Sequence, residues 1–179
     1  MARRRALLAA TLVATCAHAV RDVTPPTRPI ALLTPVGFAD HATAMAWIKS
    51  ECDLPKTVED DLVEVFRKTG LGGETTPSLA RGYVVKVVIE RANAQKGGDW
   101  SGGKTLSLSA QLYRDGVPLR STEVSAEAKS WNLFAGSCRS LQNASGKTAP
   151  HVSEWLRNAE LATGDAPLAA ASAASGTTH

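Results

Sequence analysis

Apolar positions along this chain switch between two periods, and each switch marks an element. From Gly82 onward the pattern alternates: Tyr83, Val85, Val87 and Ile89 share one face, and Val84, Lys86, Val88 and Glu90 the other. Such β-branched density predicts a central strand. Lys104 to Tyr113 alternates again, with Leu106, Leu108, Ala110 and Leu112 inward and Thr105, Ser107, Ser109 and Gln111 outward. Leu108 is thus predicted buried and Ser107 exposed. Arg114-Asp115-Gly116 follows, and Asp-Gly is among the strongest hairpin-turn signals. Val117 to Ala126 returns as a more polar partner, with Pro118 near its start, as suits an edge strand.

The helical period is clearest between Pro55 and Gly70. Val58, Leu62, Val65 and Phe66 fall on one stripe, while Glu59, Asp61, Glu64 and Arg67 face elsewhere. Thr57 is the predicted N-cap, with Asp60 three residues on, and Gly70 the stop. Phe134 to Asn143 and Pro150 to Asn158 are two shorter candidates, the second with Val152, Trp155 and Leu156 inward. Ile30 to Val36 predicts a first strand. His41 to Glu51 fits either a helix capped by Asp40 or an extended segment, and Trp47 to Cys52 leans toward a strand or irregular structure. Leu71 to Ser78, rich in Gly, Thr and Pro, reads as a mobile loop. The polar outer faces of the hairpin strands argue for a one-sided sheet. The predicted fold is α+β: an antiparallel sheet of about four strands with two or three helices packed on one face.

The N-terminus changes the setting of that fold. Arg3, Arg4 and Arg5 form a basic head, Ala6 to Cys16 an apolar run, and Ala17-His18-Ala19 places small residues at −3 and −1 of a cut after Ala19. This is the layout of a secretory signal peptide, with an apolar core far short of the roughly twenty residues a bilayer span needs. Residues 1–19 are therefore expected to leave as a leader, residues 20–161 to form one domain, and residues 162–179 to be a disordered Ala/Ser-rich tail. The expected location is periplasmic or secreted. Lipid attachment at Cys16 is the minor alternative, disfavoured by Thr15 immediately before it. Losing the leader also removes the basic balance: 20 Lys plus Arg against 17 Asp plus Glu becomes 17 against 17. Nucleic-acid binding is not expected, since it needs a dense basic surface.

In an exported chain the two remaining cysteines, Cys52 and Cys138, are most simply one disulfide. His41, His151 and His179 form no cluster with them, so neither a metal nor another cofactor is expected. Ser145-Gly146-Lys147-Thr148 ends like a phosphate loop, but the earlier glycine of that motif is here Leu141. No credible nucleophile, base and orienting partner emerge, so no catalytic residues are nominated. Trp100, amid glycines before a strand, and Trp131 are candidate binding residues, although both also suit core packing. The expected partner is another envelope protein or a small molecule.

Taken in order, Cys52-Asp53-Leu54-Pro55, Trp100-Ser101-Gly102-Gly103-Lys104, the Asp115-Gly116 hairpin, Phe134-x-Gly136-x-Cys138 and Trp155-Leu156 resemble a group of small exported proteins of Gram-negative bacteria. The resemblance covers most of residues 51–158. It implies a two-cysteine core and an envelope location, and no catalytic or binding residues. The element order is also similar to small α/β envelope domains of lipoprotein-assembly factors and transporter accessory subunits. That likeness implies a non-catalytic accessory protein. A small-ligand carrier and a secreted enzyme are the alternatives.

Overall fold

A computed structural model describes residues 29–94, 104–128 and 136–162. The elements in chain order are β1 (Ile30–Leu33), β2 (Gly37–Ala44), α1 (Ala46–Glu51), α2 (Leu54–Thr69), β3 (Gly72–Thr76), β4 (Tyr83–Asn93), β5 (Lys104–Arg114), β6 (Val117–Ala128) and α3 (Ser137–Ala162). They form one six-stranded sheet in the order β3-β1-β4-β5-β6, with β2 also paired to β4. The β4–β5 and β5–β6 pairs are antiparallel, whereas β1 is parallel to both β3 and β4, and β2 is parallel to β4. The sheet is therefore mixed, which corrects the expected antiparallel sheet of about four strands.

The hairpin forms as its sequence predicts. Asp115 and Gly116 both take positive φ, 50° and 82°, the conformation a tight turn needs to match strand twist. The Asp115 carboxylate Oδ1 also accepts a 2.8 Å bond from the Gly82 amide, joining the turn to the start of β4. Leu106, Leu108, Ala110 and Leu112 are buried as predicted.

Three segments differ from expectation. Leu71 to Ser78 contains β3 rather than a loop. Its strand has no apolar alternation because Gly72 lies against β1: a Cβ there would sit 2.9 Å from the Ile30 carbonyl. Trp47 to Cys52 lies almost wholly in α1, a single turn and a half that buries Ile48. The two short helices expected near the C-terminus are one helix, α3, with Pro150 inside it. Proline removes one helical bond, but apolar packing by Leu141, Val152 and Leu156 on both sides of it holds the axis to the sheet.

Helix α2 begins at Leu54, earlier than Thr57, because Pro55 is tolerated in the first turn. Asp53 precedes it with φ 42°, and the Thr57 hydroxyl donates to the Asp53 carbonyl at 3.1 Å from inside the helix. Leu54, Val58, Leu62 and Phe66 are fully buried, each contributing roughly 1.5–3 kcal/mol of apolar transfer. Val65 is only half-buried. The core lies between this stripe, α3 and one face of the sheet. The opposite face carries Lys86, Ser109, Gln111, Ser121, Glu123, Ser125 and Glu127 in exposed or half-buried positions. Val84 and Ser107 are the exceptions, 1% and 2% exposed. Ser107 stands on central β5 with Arg91 and Ser125 directly across from it on the two flanking strands. Alternation predicts the face and not the depth.

Candidate functional site

Cys52 and Cys138 are joined, with S–S 2.01 Å and Cα–Cα 5.0 Å across a separation of 86 residues. The bond ties the end of α1 to the first turn of α3, and Cys52 is buried. Trp100 and Trp131 lie outside the described residues. Among the described residues no group of three or more His, Cys, Asp or Glu side chains is placed to hold a metal, and no helix is long and apolar enough to cross a membrane. Ser145-Gly146-Lys147-Thr148 lies within α3, where the Thr148 hydroxyl donates to the Ser145 carbonyl at 2.9 Å. It is helix, not a phosphate-binding loop.

Depressions on the described surface include two with polar linings. One, of about 590 Å³, lies along α2 beside β3 and is lined by Glu59, Asp60, Val63, Glu64, Arg67, Lys68 and Thr75. Most of its charges are already engaged: Lys56 pairs with Asp60, Lys68 with Glu64, and the Val36 amide donates to Glu59 at 3.2 Å. The other, of about 330 Å³, opens on the sheet face away from α2 and α3 and is lined by His41, Thr43, Glu90, Arg91, Ser109 and Glu123.

This second site is built by two coincident breaks in strand pairing. In β4 the register shifts between Ile89 and Arg91, so Glu90 is an extra residue against β5. Beyond the bulge the inward positions move to Ala92 and Ala94, both buried. In β2, Phe38 and Thr43 are five positions apart while their partners Ile89 and Arg91 are two apart. His41 stands in that excess length, and its Nε2 meets the Glu90 carboxylate at 2.7 Å. Bulges recur where a side chain must be re-aimed. The sequence analysis missed this constellation. Its visible trace is the consecutive charged pair Glu90-Arg91, which ends the alternation of Tyr83 to Ile89.

A third polar feature lies between helices. Asp61 of α2 faces Ser145 of α3, and burial pushes its carboxyl above the ordinary value. The geometry does not close a hydrogen bond: Asp61 Oδ2 and Ser145 Oγ are both buried without a partner. Further along the same seam the Thr69 and Ser153 hydroxyls meet at 3.0 Å.

No protein-family model matches this chain, and no curated protein matches it in sequence. Solved structures do resemble it. PelC of Paraburkholderia phytofirmans, crystallised as a dodecamer, superposes with a TM-score of 0.52 at 14% identity, covering 75% of this chain and 91% of PelC. A protein from Xanthomonas campestris gives 0.46 at 13% identity, covering 74% and 85%. The minor lipoprotein of Acinetobacter baumannii gives 0.42 at 9% identity, covering 73% and 92%. The likeness to PelC is one of fold.

Proposed function

We propose that this chain is an exported, non-catalytic accessory protein of the cell envelope that acts by binding. The observation that carries the reading is the buried Cys52–Cys138 bond, a feature suited to an oxidising compartment and rare where thiols are kept reduced. The leader-like residues 1–19 point the same way, and the mature protein then begins at Val20 in the periplasm. The covered face of the sheet is given over to the core, which leaves the polar face and the strand edges for contact. The fold shared with PelC, a dodecamer in its crystals, favours further copies of this chain as the first partner.

Native mass spectrometry of protein purified from the periplasm tests each part. The expected subunit mass starts at Val20 with the disulfide intact, and the assembly is larger than a monomer. A subunit retaining residues 1–19, or carrying lipid on Cys16, would overturn the leader assignment. A monomer at all concentrations would remove self-assembly. Crosslinked capture from the native envelope then identifies any other component bound.

A further inference from the structure

We propose that the depression on the open sheet face binds a small zwitterion, a free amino acid or a dipeptide, through its two charged ends. The inference does not depend on the accessory role or on self-assembly.

The charges at this site are unequally engaged. Glu90 is held by His41 at 2.7 Å. Arg91 and Glu123, which line the same depression, have no ion-pair partner among the described residues and do not reach one another. Their places in the sheet explain why. Arg91 is on β4 opposite Ser107, and Glu123 is on β6 opposite Ser109, so they stand two strands apart and one pair out of step along β5. Between them β5 contributes the short side chain of Ser109, which leaves a gap where a longer residue would fill it.

A guanidinium on one side and a carboxylate on the other complement a ligand with a carboxylate and an ammonium group. Arg91 presents the forked donors that suit a carboxylate, and Glu123 accepts from an ammonium. Ser109 and Thr43 add hydroxyls able to donate or accept. The volume of about 330 Å³ is at the small end for ligand sites. The strand breaks at Glu90 and His41 give the site its wall, since a regular ladder would turn Glu90 and Arg91 to opposite faces.

The test is an amide NMR titration of the full exported protein at fixed ionic strength. L-alanine and dialanine are the probes, with acetate and ethylamine as single-charge controls. Binding at exposed charges is weak, so half-saturation is expected in the millimolar range. Saturable shifts should centre on Arg91, Ser109 and Glu123, and each control should bind at least about fivefold more weakly. Arg91→Gln and Glu123→Gln, both at exposed positions, should each weaken binding about fivefold or more without disturbing amides in α2 and α3. Three results would overturn the proposal: no saturable shift with either probe, controls that bind as well as the zwitterions, or variants that bind unchanged. Loss of self-assembly would leave these outcomes untouched, so the two readings fail separately.

Discussion

The two faces of the sheet are made by the same strands, often by adjacent residues, and they have opposite characters. Leu108 and Ser109 are neighbours in β5. The first is fully buried under the helices, and the second lines an open depression. The covered face is uniform, aliphatic and continuous with α2 and α3. The open face is polar and interrupted, with its two pairing breaks placed together at Glu90 and His41. Both breaks belong to the strands and so to both faces: on the covered side the β4 bulge moves the inward positions to Ala92 and Ala94, and on the open side it places Glu90 and Arg91 together.

This contrast predicts a ranking of substitution effects. Leu108→Ala should destabilise the protein by about 2–5 kcal/mol, while Ser109→Ala next to it should stay within about 0.5 kcal/mol. Urea denaturation of the two variants compares the faces directly, and equal losses would break the comparison. Replacing Cys52 and Cys138 together by Ala should lower stability by about 2–4 kcal/mol through the freed 86-residue loop. Because the bond lies on the helical side, amide shifts of Ser109 and Glu123 should remain in place while those of α1 and the start of α3 move.

Asp61 sharpens the contrast from within the helical layer. Burial raises its carboxyl above the usual value, so between the ordinary and raised values the folded state binds more protons than the unfolded one. Its contribution therefore makes stability fall as pH rises through that window. The penalty is fully present above the raised value and is relieved as pH drops below it. Asp61→Asn should stabilise the protein near pH 7 by less than about 1 kcal/mol, since the half-exposed group is screened. The gain should shrink in acid, as followed by thermal melts across pH, and a constant gain would count against burial as the cause. A comparably small effect belongs to the open face: His41→Ala removes an exposed imidazole from the Glu90 carboxylate, which is itself mostly buried, and should change stability by less than about 1 kcal/mol in denaturant titrations.

How much of this was legible depended on whether a side-chain pattern accompanies the backbone arrangement. The alternation in Tyr83–Ile89 and Leu106–Leu112, the Asp115-Gly116 turn, the α2 stripe and the pairing of two cysteines all follow from local chemistry, and they stand as the residues predict except at Ser107, which is buried, and Val65, which is only half-buried. The depression on the open face left only a faint mark, because Glu90-Arg91 and His41 are ordinary surface residues until two separate pairing breaks bring them together.

By itself, then, the sequence determined which faces of β4, β5 and α2 turn inward, where the hairpin reverses, and which thiols can meet. Tertiary structure alone decided that β1, β2 and β3 join the sheet in parallel, that Gly72-Gly73 is a strand, and that α3 continues through Pro150. The physical reason is that burial leaves a periodic record in side chains. Parallel pairing is made by backbone hydrogen bonds between distant segments, and glycine strands and helices held together by packing carry no such record.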